Sequence, residues 1–219
     1  MAEEDKKKKT SLARFFRKIF SGIFKTKKNV KIGFYGPPNA GKTTLANKIC
    51  VDFLGEELGT VSKVPHETRN VQFKEKVNIQ HKGKEAILKI IDTPGIATKI
   101  DYEDFIHYGL NMKEAKSRAK EATKGVIEAI KWLDDVDAVV VVLDSTKNPY
   151  SQVNVTIIGN LVARKIPVLI AANKIDLRGA DTKKIEAAFP EYGVVGISAK
   201  QGKNIDEFYD SLFSLIKKT

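Results

Sequence analysis

Residues 30–43 read VKIGFYGPPNAGKT, and this stretch decides the fold. Val30 to Tyr35 is a β-rich run of strand length, and Gly36, Pro37, Pro38, Asn39, Ala40, Gly41, Lys42 and Thr43 follow it directly. Those eight match GxxxxGK[ST], and the sequence after them reads as a helix to about Val51. Strand, glycine-bearing loop and helix in that order are the context in which the pattern means a phosphate cradle. The glycines let the backbone wrap so that several N–H groups converge on a β-phosphate, and the helix adds its N-terminal dipole. Asn39, Ala40, Gly41, Lys42, Thr43 and Thr44 are therefore candidate phosphate-binding residues. Lys42 would bridge β- and γ-phosphate oxygens, and the Thr43 hydroxyl would reach Mg²⁺. The bland alternative, an ordinary strand-turn-helix connection, has all three parts of the motif context against it.

Outward from this stretch, β-rich and helical runs alternate from Asn29 onward, which predicts a layered α/β fold with a mostly parallel sheet. Residues 53–70 carry Gly55, Gly59 and Pro65 with weak periodicity and read as a long loop, a length that usually serves function. Val71 to Gln80 and Glu85 to Ile91 alternate as two strands, joined by a hairpin at His81, Lys82, Gly83 and Lys84. Further strands are expected at Val136 to Leu143, Pro167 to Ala172 and Val194 to Ile197. Helices are expected at Met112 to Leu133, Gln152 to Arg164, Thr182 to Phe189 and Ile205 to Lys217. The count is about six strands and five helices, without an internal repeat.

Three further motifs sit where this alternation puts strand ends. Asn173, Lys174, Ile175 and Asp176 match NKxD. A carboxylate at Asp176 can accept from guanine's ring N–H and exocyclic amine, whereas adenine offers no such pair of donors. Asn173 would fix the loop, and the stem of Lys174 would cover the ring. Ser198, Ala199 and Lys200 follow a short apolar strand, where a backbone N–H can meet the guanine carbonyl. Asp92, Thr93, Pro94 and Gly95 match DxxG: Asp92 would hold Mg²⁺ through a water, and the Gly95 N–H would contact the γ-phosphate. A threonine from the long loop should complete the metal shell, and its place just before a strand favours Thr68 over Thr60. His66, His81 and His107 are too dispersed for a metal cluster.

GPPNAGKT, Thr68, DTPG, NKID and SAK, in this order over residues 30–218, resemble the five guanine-nucleotide motifs of the translation-factor-related GTPases, nearest the Era and TrmE branch. The resemblance implies a Ras-like, three-layer α/β domain whose six-stranded, mostly parallel sheet has one antiparallel edge strand. It also implies Mg²⁺-dependent hydrolysis of GTP to GDP by a molecular switch, with Lys42, Thr68, Gly95 and Asn39 at the catalytic positions. The residue after DTPG is Ile96, so the water-orienting Gln of many small GTPases is missing and intrinsic hydrolysis should be slow. In the TrmE-like branch, an Asn in the position of Asn39 accompanies K⁺ binding, often with dimerisation across the nucleotide face. A loop Asn bonding its own backbone is the equal alternative. Where the branch has a glycine and paired threonines, this chain has His66, Glu67, Thr68, Arg69 and Asn70, a departure in the potassium loop. Era carries an RNA-binding module after its GTPase domain, and this chain, reaching Thr219, is expected to lack that route to RNA. A non-hydrolysing GTP-dependent scaffold that recruits a protein effector and a ribosome-assembly or RNA-associated GTPase are the rival functions.

The net charge of +11 is unevenly placed. Residues 1–28 hold ten Lys or Arg against three Asp or Glu, and residues 29–219 hold 28 against 24. The basic character thus belongs mainly to an extension, 1–28, ahead of a GTPase domain, 29–219. Within it, Leu12, Phe15, Phe16, Ile19, Phe20, Ile23 and Phe24 recur at helical spacing, with Arg14, Arg17, Lys18 and Lys25 on the other face. An anionic membrane surface contacted by residues 12–28, the chain's own domain and a protein or ribosomal partner are the three readings open for this helix. No run approaches the ~18 apolar residues of a membrane-spanning helix. Cys50, the one cysteine, reads as core packing in a reducing cytosol. The expected location is therefore cytoplasmic, peripheral at the inner face of the membrane if the extension binds lipid.

Overall fold

The computed structural model describes residues 29–61, 68 and 70–219. The expected helix at 12–24 and the positions of Pro65, His66, Glu67 and Arg69 lie outside them.

Six strands form one sheet: β1 (Val30–Tyr35), β2 (Gln72–His81), β3 (Lys84–Asp92), β4 (Ala138–Asp144), β5 (Val168–Asn173) and β6 (Gly193–Gly196), in the order β2-β3-β1-β4-β5-β6. Every pairing is parallel except β2 with β3. The two-residue turn Lys82-Gly83 makes that exception, with φ of 47° and 76° as a hairpin of right-handed twist requires. β1 pairs with β3 on one side and β4 on the other, so the connections diverge from it and a crevice opens at its carboxyl end. The glycine loop sits at that end.

Helices cover both faces. On one side α1 (Lys42–Leu54) and α6 (Ile205–Ile216) bury Leu45, Ile49, Phe208 and Leu212 against Ile32, Phe34, Val140 and Ala171. On the other, α3 (Met112–Trp132), α4 (Gln152–Ala163) and α5 (Thr182–Ala188) place Ala129, Ile157, Leu161 and Ile185 on Val139, Val141 and Ile170. β4 faces helices on both sides, which is why AVVVVLD shows no alternation; each fully buried valine contributes about 1.5–3 kcal/mol. Cys50 is fully buried in the first layer.

Five helices were expected, and the described residues hold six and a single 3₁₀ turn, Leu133–Asp135. The addition is α2 (Tyr102–Ile106), five residues long and so too short to display a 3.6-residue period. It forms because the Asp101 side chain accepts from the Glu103 N–H and Phe105 is buried against α3. α1 likewise runs one turn past the expected end, to Leu54, where Gly55 closes it in the left-handed conformation.

Candidate functional site

The phosphate loop is shaped by close approach. Gly41 has φ 97°, and a Cβ there would lie 2.2 Å from Nδ2 of Asn173, so the left-handed turn and its neighbour both require glycine. Lys42, 6% exposed, donates from Nζ to the Pro37 carbonyl at 2.9 Å, which holds its ammonium inside the curl of the loop. Asn39 adopts φ 58°, a left-handed conformation that asparagine tolerates.

Beneath the loop, at the end of β3, Asp92 is fully buried. Its Oδ2 accepts from Thr43 Oγ1 at 2.6 Å, and Thr43 Oγ1 lies 2.9 Å from Thr68 Oγ1. Asp92 Oδ1 is buried with no hydrogen-bond partner among the described residues. A bare buried carboxylate oxygen beside two hydroxyls is a set of hard oxygen donors, which fits a hard divalent cation such as Mg²⁺. Burial pushes the Asp92 carboxyl up to about 6, against the Thr43 hydrogen bond and the Lys42 charge. Burial pushes the Lys42 ammonium down to about 8, against the Asp92 charge. Each shift has the sign that a phosphate at Lys42 and a cation at Asp92 would reverse.

Gly95 packs directly on the loop: a Cβ would fall 2.7 Å from Pro38 Cα and 2.9 Å from Pro38 N. The next residue donates its N–H to the Gly36 carbonyl at 3.1 Å, so the strand end and phosphate loop are tied backbone to backbone. That residue is Ile96, 5% exposed, and its side chain is spent in the core with Ala129, Leu133 and Ile157.

Asn173, at the end of β5, joins two loops. It donates from Nδ2 to the Ala40 carbonyl at 2.9 Å and accepts at Oδ1 from the Ala199 N–H at 3.0 Å. Lys174, with φ 70°, donates to Asp144 Oδ2 at 2.7 Å. Burial raises the Asp144 carboxyl, but hydrogen bonds from Lys174 and Thr146 outweigh it and hold the group below its usual range.

These parts surround one cavity of about 780 Å³. Asn39, Gly41, Lys42, Thr43 and Thr44 line its phosphate-loop side, with Thr68 and Gly95 beside them; Asn173, Lys174, Asp176, Ser198 and Lys200 line the other end. Ala40 and Ala199 do not line it: their backbone groups are the partners of Asn173. Thr60 lines it too, yet Thr68 is the threonine whose hydroxyl reaches Thr43. Sequence reasoning missed Val61, Leu177 and Gln201 on the wall, and Asp144 and Ser145, which hold the wall residues Lys174 and Asn173. Ser145 donates from its N–H and its hydroxyl to the Asn173 carbonyl. The signal for that pair was the polar end of the longest apolar strand, Asp144-Ser145 after Leu143.

The glycine loop at one end of the cavity and segments 173–176 and 198–200 at the other, all at strand carboxyl ends beside a topological switch, define a P-loop nucleotide-binding domain. The chain belongs to the 50S ribosome-binding GTPase family, whose model matches residues 31–174. GTPase Era of Geobacter metallireducens is 30% identical over 192 residues, covering 85% of this chain and 54% of the relative. The tRNA modification GTPase MnmE of Clostridioides difficile is 30% identical over 217 residues, covering 97% and 41%. The chain thus spans about half or less of these relatives' lengths. Among solved structures, Era in complex with MgGDPNP and nucleotides 1506–1542 of 16S ribosomal RNA matches with a TM-score of 0.64 at 24% identity, over 86% of this chain and 57% of that one. At that identity the likeness establishes the fold, and the Era-like α/β architecture expected from the motifs is the one observed.

Proposed function

We propose that this chain binds GTP and GDP with Mg²⁺ and hydrolyses GTP to GDP and phosphate as a slow, nucleotide-dependent switch. The observation that carries the reading is the buried Asp92 carboxylate with its bare Oδ1, facing Thr43 and Thr68 at the floor of the phosphate loop. Mg²⁺ held there through Thr43, Thr68 and Asp92 would neutralise charge on the β- and γ-phosphates. Lys42 and the loop N–H groups bind the phosphates, and the Gly95 N–H is the proposed donor to the γ-phosphate, a reading supported by the close packing of Gly95 on Pro38. Asp176 reads the base edge, and a backbone N–H of the Ser198-Ala199-Lys200 segment is the donor for the guanine carbonyl; Lys200 lines the cavity while the Ala199 N–H serves Asn173.

Slow turnover follows from Ile96, whose buried side chain offers nothing to orient a water. K⁺ near Asn39 is the proposed supplement, with homodimerisation across the nucleotide face as its structural companion. Phosphate release measured in K⁺ and in Na⁺, with ATP as competitor, tests both layers. Faster release in K⁺ supports the cation; release at the no-enzyme rate in both, with GTP tightly bound, would leave a scaffold that recruits an effector.

Two attachments are proposed beyond the nucleotide. The apolar and basic patterning of residues 12–28 supports an anionic membrane surface and a cytoplasmic, peripheral location; among the described residues no helix is long and apolar enough to cross a membrane. Vesicle flotation unchanged by deleting residues 1–28 would refute it. The family description and the RNA in the Era complex support association with ribosomal RNA. Cosedimentation of the chain with ribosomal subunits is its test.

A further inference from the structure

We propose that the outward face of α3, together with an aromatic pair at its C-terminal end, binds single-stranded nucleic acid. Lys113, Lys116, Lys120, Lys124 and Lys131 are all exposed. Their spacings of three, four, four and seven residues put them on one line at 3.6 residues per turn, about 27 Å long. The buried residues Ala115, Arg118, Ala122, Gly125 and Ala129 mark the opposite side of the helix. Of the three acids of α3, Glu128 lies beside the line, four residues after Lys124 and three before Lys131, so five lysines face one carboxylate there; the other two are engaged elsewhere. Glu114 is engaged in the capping box with Asn111, and Glu121 lies 3.7 Å from Arg118. None of the five lysines is in an ion pair with a described residue; Lys116 lies 5.4 Å from the Tyr102 ring.

A charged helix face is commonly only a solvated one, and the second observation lies where this line ends. Beside Lys131, the Trp132 ring stands 6.4 Å from that of Phe73 at an interplanar angle of 36°. Lys89 Nζ is 4.5 Å from the Phe73 centroid and 5.8 Å from that of Trp132, and it donates to Glu75 Oε1 at 2.9 Å, so it holds the aromatic pair and its charge is matched. Phe73 is 50% exposed, on the outermost strand of the sheet. A row of ammonium groups leading to a half-exposed aromatic pair is what a strand of phosphates with unstacked bases requires. A bilayer asks for something different, an apolar helix face to insert. The apolar side of α3 is already inside the protein, and Ile127 is the one large apolar residue on the lysine line.

The inference rests on the RNA-associated reading above, and its test is separable from that one. Binding of a short labelled oligouridylate to the full chain is followed by anisotropy across a KCl series. The triple variant Lys113→Gln, Lys120→Gln, Lys124→Gln should bind about tenfold more weakly, and its log K against log[salt] slope should shrink by about 2, three contacts at about 0.7 each. Phe73→Ala should weaken oligouridylate at least fivefold and leave inorganic polyphosphate, which has no bases, unchanged. Basal GTP hydrolysis should be unaltered in both variants. Equal binding of oligothymidylate supports recognition of phosphate and base without the 2′-hydroxyl; a preference for oligouridylate supports RNA. Unchanged affinity and slope in the triple variant overturns the proposal and assigns polyanion binding elsewhere, for example to residues 1–28. Loss of phosphatidylserine-vesicle binding with oligouridylate binding intact overturns it in favour of a lipid surface. Ribosomal cosedimentation that survives in the triple variant removes α3 alone, whereas its failure in the unaltered chain removes the broader reading.

Discussion

Asn173→Ala should damage the protein and its nucleotide site together. The side chain is 3% exposed and spans two loops, donating to Ala40 O at 2.9 Å and accepting from Ala199 N at 3.0 Å. Truncation deletes both bonds and leaves a carbonyl and an N–H buried without partners, each costing about 1–3 kcal/mol. The sum is about 2–6 kcal/mol, reduced where water reaches the orphaned groups. At about 2–4 °C per kcal/mol for a domain of this size, the melting temperature should fall by at least about 4 °C. The loops that drift are those carrying phosphate and base, so GDP affinity should fall as well, by tenfold for each 1.4 kcal/mol of preorganisation lost. Asn173→Asp keeps an acceptor for Ala199 but sets a buried carboxylate oxygen against the Ala40 carbonyl, and should destabilise at least as much as alanine. Calorimetry with and without GDP, beside a fluorescent-nucleotide titration, reads both effects. An alanine variant with unchanged melting and unchanged GDP affinity would refute the bridging role.

Asp176→Asn should leave melting intact, because Asp176 is exposed, and should exchange guanine for xanthine preference in a nucleotide competition assay. Gly95→Ala drives a Cβ to 2.7 Å from Pro38 Cα, so the DTPG segment must retreat from the loop; single-turnover GTP hydrolysis should fall at least tenfold while GDP affinity, which does not use Gly95, stays within about twofold. Cys50 should resist iodoacetamide in the native state at pH 8, since burial pushes its thiol up to about 11 and keeps it protonated; alkylation should appear only on unfolding. Because the folded value lies above the unfolded one, this thiol's contribution to stability is complete below about pH 8.5 and is lost as pH rises toward 11, which denaturant titrations at pH 7 and pH 10 would register.

The phosphate loop was legible because its constraints are local: Gly41 and the Lys42-Thr43 pair must be neighbours in sequence to be neighbours in space. The strands from β1 to β6 were legible to within two residues, the central ones because burial on two faces leaves continuous apolar runs such as AVVVVLD, and β2 and β3 because their residues alternate. α2 was not, since a capping aspartate and one buried phenylalanine carry no period. The site divided in the same way. Asp92, Asn173 and Asp176 announced themselves at strand ends, whereas what Asn173 holds together, Ala40 and Ala199, are separated from it by 133 and 26 residues. Asn47 is another residue of that kind. It reads as a polar interruption of a helix, yet it binds Leu58 N, Gly59 N and Gly59 O, shaping the chain just before Thr60 and Val61 enter the cavity wall. Long-range partners of this sort follow from the register of folded strands and leave no pattern along the chain.

The irregularity of β2 bears on how the molecule meets its own copies. Between Lys74 and Val77 the pairing with β3 slips, and Lys76 takes φ 56°, so Glu75 and Lys76 form a charged bulge in the middle of the outermost strand. A second strand approaching that margin would find its ladder interrupted halfway and two side chains to desolvate. The opposite margin, β6, is four residues long and offers little to pair with. Sheet-to-sheet polymerisation is thereby disfavoured at both borders, and any self-association of the molecule is directed to its helical or nucleotide-bearing faces.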